Sequence, residues 1–420
     1  MKHSYSFKKS LLAVALFMGM MGYVSHLAAC TSAVITGKVT PNGKPLLWKH
    51  RDTGEEQNRI AYFTTGKYPF LAVVNAPDEG GIAWAGTNSA GFSIMNTASY
   101  NLKDDDIKEM DHEGVLMYRA LEICGSLQDF EHFLDTLSRP MRVEANFGVI
   151  DALGGAAYYE VNNHSWVKMD ANDPAVAPGG YLVYTNFSYT GRLNEGMGYM
   201  RYLTATDLFQ KQGALAVTAQ GGGFTPRWIF TNVSRSFYHA FLGIDLRDPL
   251  YAPEKANGWF PDQDFIPRKS SSCSVVIEGV QPGEDPLKTI MWTVMGYPPA
   301  GVAIPLWVQM GEQQPALLLG QGEKKRSPLC EWAVALKHRV FPVKRGNGAR
   351  YMYFNGIYNS AGTGFMQQLG LLEDRLFTLY DNVISSLENS GRIGKKLDKK
   401  RVSQMYEDIS ALIERTYDTL

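Results

Sequence analysis

Apolar residues after the amino-terminal segment come mostly in short runs that turn residues interrupt. Short runs rich in branched and aromatic residues are typical of β-strands. The pattern predicts strands over 31–39, 44–50, 70–76, 91–99 and, as a pair, 146–161. Further along the chain it predicts strands over 181–187, 272–280 and 290–296.

Helical spacing of apolar residues appears between and after these strands. It predicts helices over 113–125, 127–137 and 198–212. Two more apolar stripes, over 369–387 and 402–412, are separated by glycines and predict a carboxy-terminal helical hairpin. With no internal repeat and no low-complexity linker, the pattern predicts one continuous domain with a helical tail.

The amino terminus has the three parts of a secretory signal. Lysines at 2, 8 and 9 precede the apolar run LLAVALFMGMMGYV, and small residues ending Leu27-Ala28-Ala29 follow it. The run is short for a membrane span, although a retained anchor helix is the alternative. We therefore expect residues 1–29 to be a signal peptide and the protein to be exported, periplasmic or secreted.

Composition and missing motifs exclude several classes of function. The net charge is −1, which makes nucleic acid an improbable partner. The chain lacks GxSxG, GxxxxGK[ST] and HExxH strings, and its four cysteines form no CxxC pair. Asp104–Asp106 lack calcium-loop spacing and predict a solvated acidic loop. We expect no metal and no organic cofactor; Cys273 and Cys330 would form a disulfide or stay buried thiols.

The first two predicted strands form a hairpin that starts at Cys30. Pro41-Asn42-Gly43 is a strong turn signal, and a turn centred near Asn42 and Gly43 would pair residue 30 with position 54 or 55. Arg51 and Asp52 would then lie within a few residues of the level of Cys30.

Removal of residues 1–29 would leave Cys30 at the amino terminus. An α-amine has an unperturbed pKa of about 7.7–8.0 and a thiol one of about 8.5, so the amine can take the proton of the thiol. Such a nucleophile needs a nearby cation, a carboxylate and amide donors for an oxyanion. The candidates are Lys49, Arg51, Asp52, Asn96, Asn186 and Arg235. His50 would pair with the cysteine or be structural, and we favour the structural role.

Six segments together resemble a known family. The chain is similar to the cysteine amino-terminal-nucleophile (Ntn) hydrolases: choloylglycine hydrolase, penicillin V acylase and the isopenicillin N acyltransferase relatives. Cys30-Thr31 follows a cleavable segment, as the nucleophile does in these proteins. The other matching segments are WKHRD at 48–52, GTNSAGFSIMN at 86–96, NFGVIDALGGAAYYE at 146–160, YTNFS at 184–188 and VSRSFYHAF at 233–241.

The resemblance implies a fold and a set of roles. The fold is α+β, a four-layer αββα sandwich of two antiparallel sheets, with residues 30–360 as the catalytic domain and 361–420 as a helical extension packed on it. Cys30 would be the nucleophile and its amine the base. Asp52 would orient the amine or the substrate, Asn96 and Asn186 would line the oxyanion pocket, and Arg235 would support the nucleophile. The arginine of the family's GRxxD-like string falls on Lys49, so Lys49 or Arg51 would be the active-site cation.

The resemblance also implies an activity. We expect an exported amidohydrolase that cleaves a linear carbon–nitrogen amide bond through a thioester, or that transfers the acyl group. Its substrate would be a small acylated amine or amino acid. The carboxy-terminal hairpin would cover the pocket or form an oligomer interface, and the family favours a homo-oligomer.

The same amino-terminal string supports a different class of protein. Leu27-Ala28-Ala29-Cys30 is also a lipobox, at which a lipid is attached to the cysteine thiol before cleavage. The chain would then be a membrane-anchored envelope lipoprotein with a binding or structural role and no catalysis. The matching segments downstream favour the enzyme.

Overall fold

The computed structural model describes residues 29–217, 223–251 and 257–420. The expected signal peptide therefore lies outside the described residues, except for Ala29. None of the helices within those ranges combines the length and the apolarity that a membrane crossing needs.

The first sheet contains the strand that begins the described chain. Its six antiparallel strands come from both halves of the sequence: β1 (Ala29–Ile35), β2 (Leu46–Asp52), β10 (Tyr181–Tyr184), β11 (Ser271–Glu278), β12 (Ile290–Met295) and β13 (Ala303–Leu306). Their spatial order is β10-β1-β2-β11-β12-β13. β1 is thus flanked by β10 and β2, which places Cys30 inside the sheet.

The second sheet is a seven-stranded antiparallel meander in sequence order. Its strands are β3 (Asn58–Phe63), β4 (Phe70–Asn75), β5 (Ala85–Asn88), β6 (Ser93–Ala98), β7 (Ala145–Ile150), β8 (Ala156–Val161) and β9 (Trp166–Asp170). Two small two-stranded sheets pair Tyr238–His239 with Ile244–Asp245 and Trp259–Pro261 with Tyr351–Tyr353.

The two large sheets pack face to face. A Cβ at Gly148 of β7 would lie 3.1 Å from Val34 of β1 and 3.2 Å from Leu47 of β2, and closer still to Met95. The glycine therefore lets the sheets approach each other at this point, where any side chain would push them apart.

Helices cover the outer faces of both sheets. Helices α1 (Glu113–Ile123) and α2 (Leu127–Thr136) pack their apolar residues on the second sheet in one hydrophobic cluster. Helices α3 (Tyr199–Val217) and α4 (Pro328–Val340) lie on the first sheet, together with the hairpin of α5 (Phe365–Asn389) and α6 (Lys399–Tyr417). The predicted four-layer α+β sandwich with a carboxy-terminal helical hairpin is confirmed.

The predicted register of the first hairpin is wrong by a few residues. Cys30 lies opposite Arg51, and Ala29 lies opposite Asp52. β1 ends at Ile35, earlier than predicted, because Gly37–Val39 form a 3-10 turn, and β2 begins and ends two residues later than predicted. The connection therefore begins at residue 36, and the pairing is centred before Asn42. The expectation that Arg51 and Asp52 lie near the level of Cys30 is confirmed.

The carboxy-terminal hairpin is tied to the first sheet through polar groups. Glu373 of α5 accepts hydrogen bonds from Arg235 Nη1 and Nη2, at 2.6 and 2.8 Å, and from the backbone nitrogen of Ala303 at 2.8 Å. The hydroxyls of Tyr380 and Tyr406 donate to the carbonyl oxygens of Ala303 and Pro305, at 2.9 and 3.0 Å. These contacts fix both helices to β13.

We expect Glu373→Gln to lower the free energy of unfolding by about 2–3 kcal/mol, because it leaves the buried Arg235 without a counter-ion while an amide oxygen still accepts one bond. Urea titration followed by circular dichroism measures the change. Asp374→Asn is the matched control, since the Asp374–Arg227 pair is exposed and is worth at most about 1 kcal/mol. Equal losses in the two variants would contradict the prediction.

Candidate active site around Cys30

Cys30 is the second residue of β1 and is held by side chains on both sides of its backbone. Its nitrogen donates to Asn186 Oδ1 at 3.1 Å, and its carbonyl oxygen accepts from Arg201 Nη1 at 2.6 Å. The residue is 4% exposed in the full-length chain. A cut before Cys30 would turn this nitrogen into an α-amine that already faces an oxygen acceptor.

Asn186 follows the end of β10, which spans Tyr181–Tyr184 and is shorter than the predicted strand over 181–187. Its Oδ1 accepts from Cys30 and also from Arg201 Nη2 at 2.7 Å, while its Nδ2 donates to the carbonyl oxygen of Ala98 at 2.9 Å. Because Nδ2 is bonded to Ala98 and Oδ1 faces Cys30, the amide is oriented to hold the backbone nitrogen of Cys30.

Arg201 on α3 is the contact that sequence reasoning missed. Besides Cys30 and Asn186, it donates to Thr31 Oγ1 at 2.8 Å. Burial is the main reason that the pKa of this guanidinium falls to about 9, so it stays charged at neutral pH. The only available signal was an arginine in the first turn of a helix of mixed polarity, and that pattern is also typical of a surface residue.

Asp52 lies opposite Ala29 and is fully buried. Its Oδ2 accepts from Arg268 Nε and Nη2 at 3.0 and 2.8 Å, and its Oδ1 accepts from Ser271 Oγ at 2.7 Å. Arg201 Nη1 lies 4.0 Å from the same carboxylate. Asp52 therefore lies between two arginines, one of which contacts Cys30.

His50 lies on the opposite face of β2 from Arg51 and thus from the Cys30 side chain. Its Nε2 is 2.8 Å from Ser271 Oγ, whose only proton goes to Asp52, so Nε2 carries a proton and donates. Burial lowers the pKa of His50 to about 4, which keeps the ring neutral. These contacts agree with a structural histidine.

Lys49 and Asn96 meet between the two sheets. Lys49 Nζ donates to Asn96 Oδ1 at 2.6 Å and to the carbonyl oxygen of Trp84 at 2.7 Å. Burial lowers the pKa of Lys49 to about 8, and the nearby Cys30 acts in the opposite direction. Since Lys49 occupies Oδ1, the amide of Asn96 presents Nδ2 as its remaining donor.

Arg51 is on the same face as Cys30. Its guanidinium donates to Asn58 and to Asn75 Oδ1, the latter at 3.0 Å, and lies 4.6 Å from the centre of the Trp84 ring. Cys273 of β11 lies opposite Arg51 on its other side, so Cys30, Arg51 and Cys273 form a row across three strands.

Arg235 has a different set of partners. Its guanidinium donates to Glu373 and to the carbonyl oxygens of Pro298 and Gly301. None of these three is a residue that surrounds Cys30. The structure thus brings Cys30, Asp52 and Asn186 together through Arg201. Lys49, Arg51 and Asn96 lie on the side of the first sheet that carries the Cys30 thiol, which we call the thiol face. Arg235 lies beneath the carboxy-terminal hairpin instead.

The other thiols are buried and unpaired. Cys124, Cys273 and Cys330 form no disulfide, so the alternative of buried free thiols holds for Cys273 and Cys330. Burial raises the pKa of Cys273 to about 11 and that of both Cys124 and Cys330 to about 12, which keeps these thiols protonated.

One cluster in the described part of the chain has metal-ligand chemistry. Ligand atoms of Asp104, Asp105 and His164 lie within 4.8 Å of one another. Asp105 Oδ2 already accepts hydrogen bonds from Asn163 Nδ2 at 2.7 Å and from the His164 ring at 2.9 Å. Internal hydrogen bonds are therefore enough to explain this arrangement.

Comparison with known proteins gives only distant likenesses. No family model matches the chain, and no curated protein matches it. The solved structures that resemble it include an ortholog of N-acylethanolamine-hydrolyzing acid amidase from Caenorhabditis elegans, at 15% identity over 59% of this chain and 92% of that one, with a TM-score of 0.38.

Two bacterial structures are similar at the same level. A mutant of conjugated bile acid hydrolase from Clostridium perfringens has 13% identity over 66% of this chain and 92% of that one, with a TM-score of 0.40. Penicillin V acylase from Agrobacterium tumefaciens has 14% identity over 66% and 86%, with a TM-score of 0.36. At such scores the likeness carries no weight in assigning a function, which has to come from the geometry around Cys30.

Proposed function

We propose that the chain is an exported amidohydrolase whose nucleophile is Cys30 Sγ, at an amino terminus created by removal of residues 1–29. The observation that carries the proposal is the fixed backbone of Cys30, whose nitrogen and oxygen are bound by Asn186 and Arg201. An amino-terminal nucleophile needs this fixation, because its amine must be kept beside its own thiol.

The reaction follows from these positions. The α-amine takes the thiol proton, and Sγ attacks the amide carbonyl carbon to give a tetrahedral oxyanion. We assign Asn96 Nδ2 as the donor to that oxygen, and Lys49 and Arg51 as the cations that stabilise negative charge beside the Cys30 thiol. The carbon–nitrogen bond then breaks as the ammonium gives its proton to the leaving nitrogen. Water, or an acceptor amine, cleaves the thioester with the amine again acting as base.

The contacts give each residue a narrower role than the sequence could. Asn186 holds the nitrogen of Cys30 and Arg201 holds its oxygen, while Asp52 positions Arg201 and Arg268. We leave Arg235 out of the site, because its partners belong to the carboxy-terminal hairpin.

The buried position of Cys30 also weighs against the lipoprotein alternative. A lipidated cysteine needs a tether that lets its acyl chains enter a bilayer. Cys30 is instead 4% exposed and paired with Arg51 on a strand that has a neighbour on each side. A diacylglyceryl group on its sulfur would have to leave through packed side chains.

We expect the exported protein to begin at unmodified Cys30. Mass spectrometry of the amino-terminal peptide, on protein exported by a bacterial host, measures this. A peptide that starts at Cys30 with an unmodified thiol and amine supports the enzyme. A diacylglyceryl group on the sulfur, or a chain that still carries residues 1–29, would contradict the proposal.

A further inference from the structure

The hydroxyl of Ser271 connects Asp52 to His50. Ser271 Oγ donates a hydrogen bond to Asp52 Oδ1 at 2.7 Å, and it accepts from His50 Nε2 at 2.8 Å and from the backbone nitrogen of Arg268 at 3.0 Å. The side chains of Ser271, Asp52 and His50 are all fully buried. Because a hydroxyl has one proton and two acceptor positions, these three bonds use all of them, and the proton points to the carboxylate.

A β-bulge in β11 brings Ser271 to this position. Cys273 lies opposite Arg51, so in a regular strand Ser272 would lie opposite the next residue of β2, Asp52. The pairing instead places Ser271 opposite Asp52, with Ser272 as the extra residue of the bulge. Bulges re-aim side chains and are common next to active sites. Here the bulge places the hydroxyl beside the carboxylate.

Ser271 and Arg268 hold Asp52 by its two oxygens. Arg268 donates to Oδ2 through Nε and Nη2, at 3.0 and 2.8 Å, while Oδ1 accepts from Ser271. Because each oxygen has its own donor, the carboxylate cannot rotate without losing a bond. Arg201 Nη1 lies 4.0 Å from Oδ2 and donates to the Cys30 carbonyl oxygen at 2.6 Å. The orientation of Asp52 therefore acts on the group that holds the Cys30 backbone.

Asp52 also lies at the end of β1 where the amine would form. It pairs with Ala29, the residue before Cys30, so removal of residues 1–29 would place the new α-amine at the next position along the strand. Within the described chain Oδ1 accepts a single hydrogen bond, and it keeps a lone pair for an N–H donor.

We propose that Ser271 is a positioning residue for the reaction at Cys30, because its hydroxyl orients Asp52, and that His50 acts through Ser271. This inference rests on the proposed function. With its proton on Nε2, the His50 ring donates to Ser271 and leaves the Ser271 proton to Asp52. A ring with its proton on Nδ1 would accept the Ser271 proton instead, and the carboxylate would lose this donor.

Ser271→Ala should lower kcat by about 10- to 100-fold, the value of a hydrogen bond to a charged group. KM should change little, because the Ser271 side chain contacts Asp52 and His50 on the face of β2 opposite the thiol. Ser271→Thr keeps the hydroxyl and should restore most of the lost kcat, whereas the larger threonine would not repair a loss of packing alone. The rates are measured with whichever of the N-acetyl, N-phenylacetyl and N-lauroyl amides of glycine and ethanolamine the enzyme hydrolyses fastest.

Ser274→Ala is the matched control. Ser274 is a fully buried serine of the same strand, and its hydroxyl contacts Trp48 Nε1 at 3.0 Å and Ser234 Oγ at 2.8 Å instead of Asp52. Its replacement should cost a similar amount of stability in urea titration and leave kcat unchanged.

A double variant tests the part assigned to His50. If His50 acts through Ser271, His50→Leu should lower kcat by itself, but Ser271→Ala with His50→Leu should have about the kcat of Ser271→Ala alone. His50→Gln keeps an amide donor and gives the same comparison if the leucine variant does not fold. Losses that multiply in the double variant would overturn the role of His50.

Alkylation of Cys30 separates this inference from the proposed function, because it needs no turnover. Mass spectrometry of the amino-terminal peptide gives the rate at which iodoacetamide modifies Cys30 in the mature protein. We expect Ser271→Ala to slow this reaction, since a displaced amine is a poorer base for the thiol, and Ser271→Thr and Ser274→Ala to leave it unchanged.

The two measurements together give distinct outcomes. The expected alkylation pattern in an enzyme that hydrolyses none of the amides would support the positioning role and overturn the amidohydrolase. Hydrolysis with kcat and alkylation unchanged in Ser271→Ala would overturn the positioning role alone.

Discussion

Cys30→Ala is expected to lower the turnover of a small N-acylated substrate by at least about 10⁴-fold, because the other thiol in the row with Arg51, Cys273, stays protonated and cannot replace Cys30 as the nucleophile. The side chain is buried and makes no disulfide, so the fold should survive with a small loss of stability. Single-turnover hydrolysis and circular dichroism of the purified mature variant measure the two effects.

Cys273→Ala is the matched control for this variant. Cys273 is also a buried thiol opposite Arg51, on the other side of β2, and burial keeps it protonated. Its replacement should cost a similar amount of stability and preserve most of the turnover. If Cys30→Ala kept the rate of the unmodified enzyme, Cys30 could not be the nucleophile.

Asp52→Asn is expected to lower the free energy of unfolding by about 3–5 kcal/mol and to lower kcat. The change removes a fully buried negative charge that lies 2.8 Å from Arg268 and 4.0 Å from Arg201. Arg201 would then lose the electrostatic partner that helps to hold it against the Cys30 carbonyl oxygen. Urea titration gives the stability, and kinetics at a temperature where the variant is folded give kcat.

A second substitution shows whether charge is the cause. If the loss comes from an uncompensated cation, adding Arg268→Met to Asp52→Asn should recover part of the stability, and the double variant should lose less than the sum of the single variants. Strictly additive losses would mean that the carboxylate stabilises the fold in some other way.

The strands that sequence patterns predicted lie in runs rich in branched and aromatic residues. Four strands of the two large sheets were missed: β3 includes the charged Arg59, β5 is AGTN, β9 is WVKMD, and β13 contains Pro305. Proline within a run argues against a central strand, and β13 is indeed at the edge of its sheet. Local pattern thus predicts most of the strands, whereas the four-layer sandwich was implied by the family resemblance. The short strands and the edge strands depend on tertiary contacts.

Sequence reasoning likewise predicted the site residues that local geometry positions and missed those that tertiary contacts bring in. Hairpin geometry placed Arg51 and Asp52 near Cys30, because pairing within a hairpin depends on local turn chemistry. Arg201 lies on α3, and Arg268 lies in the loop just before β11. Nothing in the local sequence distinguishes these two residues from surface arginines. Arg235 was selected because it follows a serine in a familiar string, but its side chain pairs with a helix more than a hundred residues later in the chain.

The contacts of the carboxy-terminal hairpin also occupy the backbone hydrogen-bonding groups at one edge of the first sheet. β13 is an edge strand of its sheet, and the outward N–H and C=O groups of an edge strand can normally pair with a strand of another molecule. Here Glu373 occupies the nitrogen of Ala303, Tyr380 and Tyr406 occupy the oxygens of Ala303 and Pro305, and Pro305 has no N–H to offer. With these outward groups already bonded, a further strand has little to pair with at this edge, so the hairpin shields the sheet against aggregation by strand addition.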